Sequence, residues 1–166
     1  MEPLAAHYAP RGYRFVFVYT REAHPGEYYP HHTSFEQKLA HARVLRDHHR
    51  VQRPILVDDL AGTLHRAYGT LPNMTYVVGR AGRITFKSNW TDAETIRFVL
   101  EYQLRMSDLR REGTRLAPFY AELQGLRWTD PARFQEGLAL AGPKAVAEFA
   151  EATKRWQQEG RRPGAT

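Results

Sequence analysis

A glutamate and a histidine two residues apart, Glu22 and His24, directly follow a strongly apolar segment of this chain. A histidine that titrates near neutral pH, with a carboxylate beside it, can donate a proton to a leaving group or hold an anionic ligand. The alternative is structural, with both side chains hydrogen-bonded to the backbone of their own loop. This pair is the first candidate for acid–base chemistry in the sequence.

The chain contains no cysteine among its 166 residues. A thiolate is the nucleophile of thiol redox chemistry and a common ligand in structural metal sites. This composition therefore excludes a disulfide framework, thiolate metal binding and thiol catalysis by the chain itself. We expect the chain alone to show no reductase or peroxidase turnover.

Pairs of histidines could bind a metal ion, but their spacing in this sequence does not favour a metal site. His31 and His32 are neighbours in sequence and are poorly placed to bind one ion, and the H-E-x-x-H pattern is absent. The pair His48–His49 ends a predicted helix, where cationic side chains suit the last carbonyls. The pair Asp58–Asp59 is better explained as a turn and helix cap than as a cation site. We predict no metal and no cofactor.

The net charge of +6 does not by itself indicate a partner. The basic residues are spread along the chain and mixed with acidic ones, and no nucleic-acid reading motif is present, so we predict no nucleic-acid binding. No signal region follows Met1, and no apolar run reaches the roughly 18 residues of a membrane span. We expect a soluble, cytoplasmic protein without membrane association.

The elements that must position Glu22 and His24 alternate between strand and helix. The predicted elements are a buried strand at 13–19, a helix at 34–50 behind a Thr33–Glu36 capping box, a strand at 54–58, a helix at 60–68, a hairpin of 75–78 and 83–86, and a helix that runs from a Thr91–Glu94 capping box to 111. The candidate pair then lies at the carboxyl end of the first strand, where open α/β sheets place their sites.

The chain changes character after residue 111. Two helices are predicted to start at Pro131 and Pro143, because proline favours the first helical position. We expect a helical extension over 112–166 that ends in a disordered tail at 160–166. Its inward-facing and anchoring residues are predicted to be Phe134, Leu138, Val146, Phe149, Trp128 and Trp156.

Several short motifs in the first 104 residues match one family. They are Tyr19–His24 followed by Pro25-Gly26, then His32, Val57–Asp58, Ala67–Gly69 and Leu71–Val78. Together with the element order, they resemble the iodothyronine deiodinase family and its bacterial relatives, which have a thioredoxin-like fold of the peroxiredoxin type. The Glu-Ala-His element is fairly specific to that family. The resemblance does not extend to the helical extension.

The resemblance carries expectations about the site. In that family a selenocysteine or cysteine at the end of the first strand performs reductive dehalogenation or thiol chemistry. The resemblance places that strand upstream of Met1. It assigns Glu22 and His24 to a polar network on the substrate side of the nucleophile, and His32 to a second histidine of the site. Tyr29 stands where the animal enzymes carry tryptophan, so the resemblance does not imply iodothyronine as the substrate.

The predicted fold is an α/β, thioredoxin-like three-layer sandwich over residues 1–111 that lacks its first central strand. The strands at 13–19 and 75–78 would then have unpaired inner edges, which are costly and prone to association. Three explanations remain open: a longer native chain, direct pairing of these two strands, or a strand from another chain. We favour the first explanation, and the free edges also suggest a homo-oligomer.

The resemblance implies a deiodinase-like, thioredoxin-fold oxidoreductase whose redox nucleophile is absent from this sequence. Its partners would be a small-molecule substrate and a thiol reductant. The alternative is a non-catalytic thioredoxin-fold module that binds a ligand or a partner. A cysteine or selenocysteine codon in frame upstream of Met1 would favour the oxidoreductase.

Overall fold

The computed structural model describes residues 1–126 and 130–159 and has a mixed α/β arrangement, as predicted. Its helices are α1 (Glu2–Tyr8), α2 (Phe35–His48), α3 (Thr63–Tyr68), α4 (Ala93–Arg111), α5 (Pro131–Ala141) and α6 (Pro143–Gln158), and its strands are β1 (Phe17–Tyr19), β2 (Ile55–Val57), β3 (Thr75–Val78) and β4 (Ile84–Ser88). The predictions for Trp128 and for the tail at 160–166 lie outside the described residues. The thioredoxin-like identity of the fold stays a prediction.

The strands form two separate two-stranded sheets within the described ranges. In the first sheet, the Phe17 N–H donates to the Pro54 carbonyl (2.9 Å) and the Asp58 N–H donates to the Tyr19 carbonyl (3.1 Å). Residue numbers rise in the same direction on both strands, so β1 and β2 are parallel. The strands β3 and β4 form the predicted antiparallel hairpin. Direct pairing of β1 with β3, one of the three explanations, is not seen in these sheets.

The first strand is shorter than predicted. Only Phe17–Tyr19 is strand, rather than the whole of 13–19, and Val16 is 47% exposed instead of covered. The strand is short because its hydrogen bonding to the segment that contains β2 begins only at Pro54. The residues just before that proline, Gln52 and Arg53, bond to the Glu2 carboxylate instead.

The N-caps of α2 and α4 each lie one residue after the predicted threonine. Ser34 is the cap of α2, and its hydroxyl accepts from the Gln37 N–H at 3.1 Å. Asp92 is the cap of α4, and its carboxylate accepts from the Thr95 N–H at 2.8 Å. The Thr91 hydroxyl is hydrogen-bonded elsewhere, to the Asn73 carbonyl. Tertiary contacts therefore select among several polar residues that are each able to cap.

The described chain separates into two compact units. The first comprises Met1–Phe17, Gln52–Pro54 and the described part of Tyr68–Arg127, and its buried core consists of Leu4, Tyr8, Ile96 and Leu100. The second comprises Val18–Val51, Ile55–Ala67 and the described part of Trp128–Thr166, and its buried core consists of Leu138, Ala141 and Ala145, with Phe134 and Phe149 packed against it.

Within the described residues beyond α4, the helical extension consists of α5 and α6. Residues 114–126 contain no helix or strand, and the side chains of Phe119, Tyr120, Leu123 and Leu126 are exposed. The starts of α5 and α6 at Pro131 and Pro143 are confirmed. Val146 is 36% exposed and does not face inward as predicted, because the shorter Ala145 occupies the core position next to Ala141. None of the helices within the described ranges combines the length and apolar character needed to cross a bilayer.

Candidate functional site

Four polar side chains of the second unit converge beyond the carboxyl end of β1. We call Tyr19, Glu22, His32 and His41 the polar cluster. Tyr19 is the last residue of β1 and is 4% exposed, and its hydroxyl donates a short hydrogen bond to Glu22 Oε1. Because β1 ends there, the chain turns away and brings Glu22 back over the tyrosine ring's hydroxyl. The strand end thus fixes the first two members.

The other two members come from α2 and the loop before it. His32 lies two residues before the Ser34 cap, and His41 is in the helix. His32 Nε2 is 3.2 Å from His41 Nδ1 and 3.4 Å from the Tyr19 hydroxyl. Glu22 Oε1 is 3.6 Å from His41 Nδ1 and 3.9 Å from His32 Nε2. The carboxylate and both imidazoles therefore face a common centre.

The cluster is well enclosed but still reached by solvent. The side chains of His32, His41 and Glu22 are 6%, 12% and 21% exposed. The ring of Tyr29 packs edge-on against His41, with ring centroids 5.1 Å apart. Low exposure strengthens the interactions among these groups, because little water competes with them.

Lys38 anchors α2 beside the cluster. This lysine is only 2% exposed, and its Nζ donates to the Asp59 carbonyl at 2.8 Å. Asp58 meanwhile accepts from the backbone N–H groups of Asp59, Leu64 and His65 at 2.9 to 3.0 Å. The turn and cap that the sequence predicts at Asp58–Asp59 are therefore present.

Burial shifts the titration of the cluster in a definite direction. Desolvation lowers the pKa of His32, and the positive charges of His41 and Lys38 act in the same sense. Desolvation also raises the pKa of Tyr19, reinforced by its hydrogen bond to the Glu22 carboxylate. Near neutral pH, His32 is therefore uncharged and Tyr19 keeps its proton. The cluster therefore holds proton donors and acceptors close to one another.

His24 lies apart from Glu22 and His32. Its ring packs edge-on against Phe134 and Phe149, at centroid distances of 5.6 and 5.7 Å. Desolvation by these rings lowers the pKa of His24. The structure thus brings together two of the three residues that the resemblance assigned to the site, and it packs the third against the aromatic side chains of α5 and α6.

Besides Tyr19, His41 is the member of the cluster that the sequence did not assign to the site. It lies three residues after Lys38 and one before Ala42, the two buried residues of α2. A histidine next to the buried face of an amphipathic helix is directed toward the packed side. That helical position was the available signal, but it does not say which loop residues the imidazole will meet.

Stability is expected to fall as the pH is lowered through about 6.5. The pKa of His32 is lowered in the folded protein, so the unfolded chain takes up a proton that the folded chain resists. Its contribution is fully present above the unfolded pKa and is lost as the pH falls through that range. Denaturant unfolding at pH 5, 6, 7 and 8 measures the slope. His32→Asn should flatten the slope, whereas the exposed neighbour variant His31→Asn should keep it. Equal slopes for wild type and His32→Asn would contradict this account.

The polar cluster combines residues from a strand end, from loops and from a helix. Its geometry is the main source of functional information on this chain. The resemblance to the deiodinase family stays a prediction. Comparison with protein-family models, with curated proteins and with solved structures finds no match for this chain.

Proposed function

We propose that this chain is a deiodinase-like, thioredoxin-fold member of the oxidoreductases, in which the polar cluster forms the proton-handling end of a small-molecule site. The single observation that carries the proposal is that Glu22 and His32 meet at the Tyr19 hydroxyl. These two residues were assigned to one site on motifs alone, and they are ten positions apart in sequence.

The electrostatics support proton transfer as the cluster's role. Both contacts of His32 are made by its Nε2 atom, which donates or accepts according to the tautomer. This nitrogen can therefore exchange a proton with the Tyr19 hydroxyl, with His41 Nδ1 or with a bound ligand. The Glu22 carboxylate orients the Tyr19 hydroxyl, which remains protonated because its pKa is raised. A phenol or similar hydroxylated ligand could exchange hydrogen bonds with the polar cluster. General acid–base groups of this kind contribute about 10² to 10⁴ in rate.

The redox step needs a thiol or selenol from another molecule. No residue of this chain supplies a sulfur nucleophile. A reductive dehalogenation consumes two thiol groups and forms one disulfide. One of the two thiol protons is matched by the hydrogen that replaces the halogen on the ring carbon, and the other is released with the halide. The chain's own part is then to bind the halogenated substrate and deliver the proton, while the thiol partner supplies both electrons.

The test is halide release from a halogenated phenol in the presence and absence of a small dithiol. We expect none above the buffer rate without dithiol, and an accelerated rate with it. Glu22→Gln and His32→Asn should each slow the accelerated rate about 100-fold if the cluster transfers the proton.

Exposed residues near the cluster provide the controls. His31→Asn and Glu36→Gln alter an adjacent histidine and an exposed glutamate of α2, and both should keep the full rate. Turnover without any added thiol would overturn the dependence on a partner. A dithiol-dependent rate unchanged in Glu22→Gln and His32→Asn would overturn the role of the cluster.

A non-catalytic binding module is the second candidate, favoured by the complete lack of cysteine. It predicts that the phenol shifts the imidazole NMR signals of His32 and His41 without any dithiol-dependent halide release. The two candidates therefore differ in turnover and agree in binding.

A further inference from the structure

Three side chains of the polar cluster point potential metal-binding atoms at one another. Glu22, His32 and His41 each offer one ligand atom, and these atoms all lie within 4.8 Å of one another. The set consists of one carboxylate oxygen and two imidazole nitrogens. This donor set is typical of zinc and non-haem iron sites that keep an open coordination position.

The separations fit a first-row transition metal ion. A point equidistant from the three donor atoms lies about 2.1 Å from each, given separations of 3.2, 3.6 and 3.9 Å, which is within the ~2.0–2.2 Å of Zn–N and Zn–O bonds. Tetrahedral coordination at such bond lengths requires ligand separations of roughly 3.3 to 3.6 Å. Side-chain shifts of a few tenths of an ångström therefore complete the geometry.

We propose that Glu22, His32 and His41 bind a divalent first-row transition metal ion, with zinc as its representative. The ion is held by Glu22 Oε1, His32 Nε2 and His41 Nδ1. The remaining position is open to water or to a ligand. Glu22 and His32 also belong to the proposed function, whereas His41 does not, so the ion can be tested without substrate or thiol.

A hydrogen bond between the two imidazoles is the competing explanation for their proximity. It accounts for the 3.2 Å between His32 and His41. It does not involve Glu22 Oε1, which accepts from the Tyr19 hydroxyl and faces both nitrogens at 3.6 and 3.9 Å. A shared ion would use all three donor atoms at one centre.

The surroundings of the three donors suit an ion in charge and in hydrogen bonding. Glu22 supplies a negative charge, which offsets the unfavourable effect of the nearby Lys38 ammonium on a cation. Tyr19 donates to the same oxygen of Glu22 and would orient the carboxylate as an outer partner rather than as a ligand. Low exposure of both histidines limits exchange of the ion with solvent.

The experiment is metal titration of the tag-free 166-residue protein at pH 7.5 without substrate or thiol. Calorimetry with Zn²⁺ should give one equivalent, and Co²⁺ should develop the visible absorption of a low-coordinate nitrogen–oxygen site. Glu22→Gln and His41→Asn should each weaken Zn²⁺ binding more than about 100-fold, because even outer-shell partners are worth about 10- to 100-fold. Circular dichroism and thermal unfolding show whether each variant is folded.

Three variants act as controls. His31→Asn and His48→Asn remove exposed histidines and should leave the affinity for Zn²⁺ unchanged. Tyr19→Phe removes only the outer hydrogen bond and should retain one equivalent with weaker affinity. Lack of stoichiometric Zn²⁺ binding, or the same affinity in wild type, Glu22→Gln and His41→Asn, would overturn the proposal.

The metal measurement and the halide-release measurement fail independently. Zinc binding without thiol-dependent turnover would support the ion and remove the oxidoreductase proposal. Turnover that depends on His32 but not on His41, with no stoichiometric Zn²⁺ binding, would support the oxidoreductase proposal and remove the ion.

Discussion

Gly26→Ala will destabilise the second unit by about 3 kcal/mol, the upper end of the range for overpacking. Gly26 is buried, and a Cβ at this position would overlap the backbone carbonyl group of Ala141 and lie 3.3 Å from the Cβ of Ala145. Backbone atoms cannot rotate away as a flexible side chain can. The adjacent hydrogen bond from the Tyr28 N–H to the Ala141 carbonyl, 3.1 Å long, would be strained as well.

A second glycine of the same unit is the matched control for this substitution. Gly137 lies inside α5, and a Cβ there would have no neighbour within 4 Å. Gly137→Ala should therefore stabilise the protein by about 0.5–1 kcal/mol, the usual gain of alanine over glycine within a helix. Denaturant unfolding, monitored by hydrogen exchange of the α5 and α6 amides, gives the change in the free energy of unfolding for both variants. A Gly26→Ala protein as stable as wild type would show that this close approach does not exist.

Leu138→Ala is expected to cost about 2 to 5 kcal/mol, as for other large-to-small substitutions at buried positions. Leu138 is 2% exposed and is the largest buried residue in the core between α5 and α6. Its neighbours, including Phe134 and Phe149, are already packed edge-on against each other at 4.7 Å. That packing restricts how far the rings can move to fill the space, so the cavity term should be large.

The control for this prediction is a leucine two positions along the same helix. Leu140 is 39% exposed, so Leu140→Ala should cost less than about 1 kcal/mol. Comparison of the two free energies of unfolding removes the effect of helix propensity, because leucine and alanine are exchanged in the same helix. Equal losses for the two variants would contradict the assignment of Leu138 to the core.

The Leu138→Ala substitution should also change the environment of the His24 ring. This histidine packs against Phe134 and Phe149, so its ring environment depends on the same core. The pKa of His24, lowered by desolvation in wild type, should move back toward its ordinary value in Leu138→Ala. Proton NMR of the imidazole measures that movement. The signals of His32 provide an internal reference within the same sample.

Local signals in the amino-acid order were sufficient for several elements. The hairpin of β3 and β4 follows from two β-rich runs around Gly79–Gly82, and the structure confirms it. The starts of α5 and α6 follow from Pro131 and Pro143, because the fixed φ of proline suits the first helical turn. The absence of a thiol follows from composition alone. The hairpin and the helix starts depend only on residues a few positions apart, and the absence of a thiol does not depend on residue order.

The membership of the candidate site was decided by packing. Glu22 and His24 are two residues apart, yet one joins the polar cluster and the other packs on aromatic rings. His32 and His41 are nine residues apart, and their ring nitrogens meet at 3.2 Å beside the Tyr19 hydroxyl at the end of β1. Patterns of sequence report the preferences of single segments. Which side chains from different segments face each other depends on how those segments pack, and only the tertiary structure specifies that.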